Sequence, residues 1–205
     1  ILAPGIAMAV SLIGGSVIPW AEKFEIPGYG DVQPYIGDVN VAILYIVAVL
    51  STSVYGIVLG GWASNNKYSL MGSIRAGAQM ISYEIAMGLS IIALVMMTGT
   101  LSLTGITEQQ GGWNGMQWNV LYQPLTFIIF LVCSFAECNR TPFDLAECES
   151  ELVNGHHTEY SSLGMGFFMF SEYASMFFSS ALISVLFFGG YNYPGIDWVR
   201  ESWGI

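Results

Sequence analysis

Charge is scarce in this sequence, and positive charge scarcest. Five Lys and Arg stand against fifteen Asp and Glu in 205 residues, for a net charge of −10, and charged residues make up 10% of the chain. A water-soluble domain usually carries about 25%. Five scattered cations do not make the basic patch that nucleic acid or an anionic lipid surface requires, which argues against both as specific partners. Cysteine is scarce too. Cys133, Cys138 and Cys148 are odd in number and form no C-x-x-C pair, so they read as reduced thiols. That argues against a disulfide framework and against an iron–sulfur site, and no redox centre is expected in this chain. No internal repeat is evident, and in particular no inverted repeat of the transporter kind.

What is abundant is apolar. Hydrophobic residues make up 54% of the chain, and mean hydropathy is +0.57. Five apolar runs stand out, near residues 2–20, 41–62, 79–98, 120–136 and 163–190. A membrane-crossing helix needs roughly 20 such residues. The expected fold is therefore all-α, a polytopic transmembrane helix bundle of about five spans forming one membrane domain over residues 1–205. Polar stretches at 21–40, 63–78, 99–119 and 137–162 read as connections. Gly14-Gly15 interrupts the first run, and Gly56-x-x-x-Gly60 in the second suits close helix packing. All six tryptophans fall at or near run ends, as an interfacial belt would have them. The chain starts at Ile1, inside an apolar run, and the expectation is a piece of a longer polytopic protein.

With five alternating spans, Lys67, Arg75 and Arg140 share one side, and Lys23 and Arg200 the other. The positive-inside tendency then places residues 137–162 inside. Two runs carry an acid, Glu84 in the third and Glu172 in the fifth. Counted from residues 78 and 163 at about 1.5 Å per residue, they lie roughly 9 and 14 Å deep. Glu137 closes the fourth run on the same side. An acid within the bilayer costs roughly 2.5–3.5 kcal/mol on insertion scales, and helix bundles accept it where it faces a cavity or a partner.

The chain is organised around Glu137 to Tyr160, ECNRTPFDLAECESELVNGHHTEY, which holds seven acidic or basic side chains and both histidines. Thr141-Pro142-Phe143-Asp144 reads as a helix start, with Thr141 as cap, Pro142 at the first helical position and Asp144 completing a capping box. Asn154-Gly155 reads as its stop. Asp144, Glu147, Cys148 and Glu151 recur at helical spacing, so a short amphipathic helix with an acidic face is expected. The repulsion between these carboxylates favours holding a proton. His156-His157 gives little sign of a metal site. Neighbouring histidines diverge on a helix and no second ligand cluster completes a tetrahedron.

Glu137-x-Asn139-Arg140-x-Pro142-Phe143-Asp144-Leu145-x-Glu147-x-Glu149-Ser150-Glu151-Leu152, followed by Thr158-Glu159-Tyr160, closely resembles the signature loop of the quinone-site membrane subunit of respiratory complex I, known by the letter H in bacteria and by the number 1 in mitochondria. Residues 59–84 also resemble that family, whereas Cys138, Cys148 and the two histidines depart from its pattern. The resemblance implies a loop on the cytoplasmic or matrix side that helps to build the quinone chamber. It also implies a family span before residue 1 and further spans after Ile205.

On this reading the chain is a non-redox subunit of a proton-translocating NADH:quinone oxidoreductase. The proton path is expected to run from Asp144, Glu147, Glu149, Glu151 and Glu159 through Glu137 to Glu172 and Glu84. The quinone, ubiquinone for example, would meet Phe143, Phe167, Phe168 and Met169, with Arg75 and Arg140 as polar contacts. No cofactor and no metal is expected in this chain. NADH, FMN and iron–sulfur clusters would belong to partner subunits of the membrane and peripheral arms. A bacterial inner membrane fits better than a mitochondrial one. Two other readings stay open: the homologous subunit of a membrane-bound hydrogenase or ferredoxin-driven complex, and a stand-alone ion-coupled transporter.

Overall fold

The computed structural model describes residues 2–26, 30–32, 34–37, 39–112, 116–143 and 155–195. Seven α-helices occur among them: α1 Leu2–Gly14, α2 Ala42–Ala63, α3 Lys67–Thr98, α4 Leu103–Gln110, α5 Asn119–Tyr122, α6 Pro124–Glu137 and α7 Ser162–Phe187. A short antiparallel ribbon, Phe24–Ile26 with Gly30–Val32, pairs Glu25 with Asp31 in the first connection. The architecture is all-α, as expected.

Three helices, α2, α3 and α7, are long and apolar enough to cross a bilayer, and α1 and α6 are apolar but shorter. The outward faces are apolar as well. Ile81, Ile85, Leu89, Ile92 and Met96 form one exposed stripe along α3, and Leu125, Ile128, Val132 and Phe135 another along α6. Steps of three and four residues keep each set on one face. A soluble helix turns such a stripe inward, whereas these turn it outward, which suits a surrounding of lipid or of other membrane helices. The chain is an integral membrane protein.

The helices form a ring in the order α7, α1, α2, α3, α6, with α6 and α7 touching lightly where it closes. The paired glycines of the second apolar run receive different neighbours, Gly56 helix α1 and Gly60 helix α7. A Cβ at Gly56 would stand 3.0 Å from Cβ and 3.1 Å from the backbone nitrogen of Ala7, and one at Gly60 would stand 2.9 Å from the Phe168 ring. Only glycine admits neighbours this close. A large apolar cluster fills one half of the ring, with Ile46, Leu94, Phe130, Leu186 and Phe187 at its centre. A small one, Ala3, Ala7 and Phe168, seals the other end.

Three helices differ in their bounds from the apolar runs. The helix of the third run begins well before residue 79. Helix α3 starts at Lys67, capped by the Asn66 side chain, which accepts from Tyr68 N–H at 3.0 Å, and ends at Gly99 in the left-handed conformation. Its 32 residues reach about 48 Å, beyond the ~30 Å hydrocarbon core. Hydropathy marks where lipid begins, not where a helix does, and residues 67–78 contain no proline to stop one. The fourth run, 120–136, is broken at Gln123, because the residue before a proline is driven out of helical geometry and Pro124 opens a new helix. The first run is helical only to Gly14, followed by a 3₁₀ turn, Gly15–Val17.

The expected helix start at Thr141-Pro142 is a turn in the structure, with the Thr141–Pro142 peptide cis. The rest of that expected helix, with Asp144, Glu147, Glu149 and Glu151, lies outside the described residues.

Candidate functional site: an acid-lined cavity inside the helix ring

Helix α6 has 14 residues and reaches only about 21 Å, short of a full crossing. Its last residue, Glu137, is buried. The chain then continues through residues 138–143 without regular structure. Buried irregular backbone must have its polar groups satisfied within the protein. Gln79 on α3 does much of this. Its side-chain nitrogen donates to the carbonyls of Ala136 at 3.1 Å and Phe143 at 2.8 Å, and lies 3.4 Å from Asn139 Oδ1.

Glu137 lines a partly open cavity of about 90 Å³ within the ring. Apolar side chains of α1 and α2, such as Val10, Ile46 and Leu50, form one wall. Glu172, Ser171, Ser175 and Ser179 of α7, with Cys138 and Asn139, form the other. The cavity has room for several waters. Ligand pockets run to roughly 300–1,000 Å³, so it is small by that measure. Among the described residues, neither carboxylate oxygen of Glu137 has a hydrogen-bond partner. Ser171 and Ser175 donate their hydroxyl protons to carbonyls of their own helix, which leaves oxygen lone pairs for other donors.

Two further acids complete the site. Glu84 on α3 accepts a hydrogen bond from the Ser51 hydroxyl on α2 and lies within electrostatic reach of Glu137. Glu84 stands about 26 Å along α3 from its start at Lys67. Glu172 lies 3.5 Å from Nε2 of His157. The structure thus brings together Glu84, Glu137 and Glu172, from three helices. Glu159 stands apart. It is exposed and accepts from Asn66 Nδ2 at 2.8 Å, which ties the chain before α7 to the start of α3.

The aromatic and basic residues expected to form a quinone slot differ in exposure and in the neighbours they meet. Phe168 is 2% exposed and packs in the small apolar cluster, while Phe167 and Met169 are 39% and 44% exposed. Phe143 packs edge-on against Tyr83 with centroids 5.2 Å apart. The Arg140 guanidinium lies 4.9 Å over the Tyr173 ring. Arg75 is exposed on α3.

Sequence reasoning missed three contributors. Gln79 and Ser51 are ordinary polar residues of apolar helices, although Ser51-Thr52-Ser53 in a span was a readable hint. His157 stood out as a histidine in the charged loop, but its partner Glu172 lies fifteen residues on and only folding brings the two together.

An all-helical bundle with apolar outer faces, one buried acid and two half-buried ones beside a small internal cavity defines the class: a polytopic integral membrane protein. Comparison with known proteins names the family. The NADH dehydrogenase family matches residues 1–203, and the chain belongs to that family. The loop resemblance therefore holds. The H subunit of the NADH-quinone oxidoreductase of Flavobacterium johnsoniae is 63% identical over 205 residues, which cover 100% of this chain and 57% of that protein. Its counterpart in Flavobacterium psychrophilum is 60% identical, with 100% and 59% covered. The corresponding protein of Geobacter sulfurreducens, the first of its H-type subunits, is 48% identical, with 95% and 58% covered. The chain thus spans less than two thirds of the length of these relatives.

Proposed function

We propose that this chain is part of the H-type membrane component of a bacterial, proton-translocating NADH:quinone oxidoreductase, and that its acid-lined cavity belongs to the route that couples quinone reduction to proton movement. One observation carries the reading: Glu137 and Glu172 share a water-sized cavity, with Glu84 beside them and family membership behind them.

Reduction of a quinone to its quinol consumes two electrons and two protons, so protonation must be tied to that event. Carboxylates in an interior of low dielectric feel one another's charge strongly. Loading one with a proton changes what its neighbours hold, so charge can pass between Glu137, Glu84 and Glu172 without a large motion. Asp144, Glu147, Glu149, Glu151 and Glu159 would extend the route to the aqueous side. The quinone would not enter this cavity. It would meet Arg75, Arg140, Phe143, Phe167 or Met169 on a surface completed by partner subunits of the membrane and peripheral arms, with the buried Phe168 only backing that surface. Flavin and iron–sulfur clusters would reside in those partners, and the whole would sit in the bacterial inner membrane.

The test is Glu84→Gln and Glu172→Gln in the full-length subunit of the assembled complex, followed by quinone-coupled proton pumping in vesicles. Both substitutions should cut pumping by roughly 100-fold or more. Wild-type pumping in both would overturn the reading.

A further inference from the structure

Glu172 faces the cavity on one side and His157 on the other, and the proposed route leaves the histidine unused. His157 closes the 3₁₀ turn Gly155–His157, which packs against α2 and α3. Its imidazole is 5% exposed and stands edge-on to Phe168, with centroids 5.4 Å apart and planes at 76°. Phe168 in turn presses on Gly60 and on Tyr160, whose hydroxyl donates to the Gly60 carbonyl at 3.2 Å. The ring is therefore held from several sides, with Nε2 aimed at Glu172. The 3.5 Å separation is an ion-pair distance, about half an ångström beyond a hydrogen bond.

We infer that His157 is the proton partner of Glu172, exchanging one proton with it between the cavity and the loop. The inference rests on the proton-route reading of the site. In the step, the O–H bond of protonated Glu172 breaks and an N–H bond forms at His157 Nε2. The bonding pair stays on the carboxylate, and the imidazole lone pair takes the proton. The couple is neutral before and an ion pair after, so its net charge is zero in both states. That matters because a lone buried charge is expensive and a paired one far less so. Imidazole is the side chain that changes charge nearest neutral pH, so the exchange can run both ways under physiological conditions.

Other ionisable groups nearby are otherwise engaged or turned away. Glu159 is held by Asn66, and Arg140 lies over Tyr173. Lys67, Tyr68 and Arg75 on α3 and Tyr55 on α2 are exposed. Tyr83 packs against Phe143, and Glu84 accepts from Ser51. Glu137 and Cys138 face Glu172 through the cavity. The side chain of His156 lies outside the described residues.

The experiment compares His157→Gln, His157→Asn, Glu172→Gln and the double variant H157Q/E172Q, each in the full-length subunit of the assembled complex in vesicles. Pumping per quinone reduced is followed across pH, together with the infrared carboxylic C=O band that Glu172→Gln removes. Both histidine variants should lower pumping roughly 10-fold or more, lose a titration step near neutrality and shift the C=O band. The double variant should be no worse than Glu172→Gln alone, because one step is lost once.

If Glu172→Gln abolishes pumping while both histidine variants keep the wild-type rate and pH profile, the inference falls and the proton-route reading stands. If pumping survives in every variant, the route itself is wrong. Reduced pumping with an unchanged pH profile and an unmoved band, or failure of both histidine variants to assemble, would mean that His157 only packs, and would overturn the inference.

Discussion

The side-chain nitrogen of Gln79 lies 2.8 Å from the carbonyl oxygen of Phe143. One amide on α3 thereby fastens the irregular segment that carries Arg140 and leads away from Glu137. Gln79→Leu would leave buried carbonyls unsatisfied, at roughly 1–3 kcal/mol. Amide hydrogen exchange over residues 138–143 should accelerate by about the corresponding 5- to 150-fold. Unchanged protection there would show that other contacts hold the segment.

Ser51 is the hydroxyl donor to Glu84. A hydrogen bond contributes roughly 0.5–1.5 kcal/mol. Ser51→Ala should therefore slow coupled pumping several-fold, and Ser51→Thr, which keeps the hydroxyl, should restore most of it. Equal loss in both variants would point to packing at this position instead.

At Gly56 the close approach of Ala7 leaves no room for a side chain. Gly56→Leu should destabilise the α1–α2 contact by about 1–3 kcal/mol and lower the thermal midpoint of the purified complex. Gly88, where a Cβ would meet nothing within 4 Å of this chain, supplies the comparison. If Gly88→Leu costs as much as Gly56→Leu, the packing argument is wrong.

Tyr173 supports the Arg140 guanidinium through its ring face. Tyr173→Leu removes a contact worth roughly 0.5–2 kcal/mol, whereas Tyr173→Phe retains it. If Arg140 contacts quinone, as proposed, KM for a short-chain quinone should rise several-fold in Tyr173→Leu and little in Tyr173→Phe. An identical KM in all three would remove Arg140 from the quinone contact.

Much of this was legible in the chain itself, for a plain reason. Helices in lipid satisfy their backbones internally, so a run of apolar residues such as 42–63 announces a span without reference to any neighbour. The small-residue spacing at Gly56 and Gly60 likewise announced where a neighbour would press. The break before Pro124 was missed, although a proline restricts the residue before it whatever the surroundings. The start of α3 at Lys67 was not legible, because polarity above the membrane looks alike in a helix and a loop, and the Asn66 cap is a small signal beside hydropathy.

The site divides in the same way. Acids at 84, 137 and 172 were visible as charges where charge is costly, and the unusual loop after Glu137 carried the family likeness. What those acids face was decided by folding alone. Gln79 meets Phe143, Ser51 meets Glu84 and His157 meets Glu172 across helices that no local periodicity relates. The sequence by itself determined that this chain lies in a membrane and carries acids there. Only the ring of five helices decided that two of those acids share a water-sized space, since a cavity belongs to the gap between elements and not to any one of them.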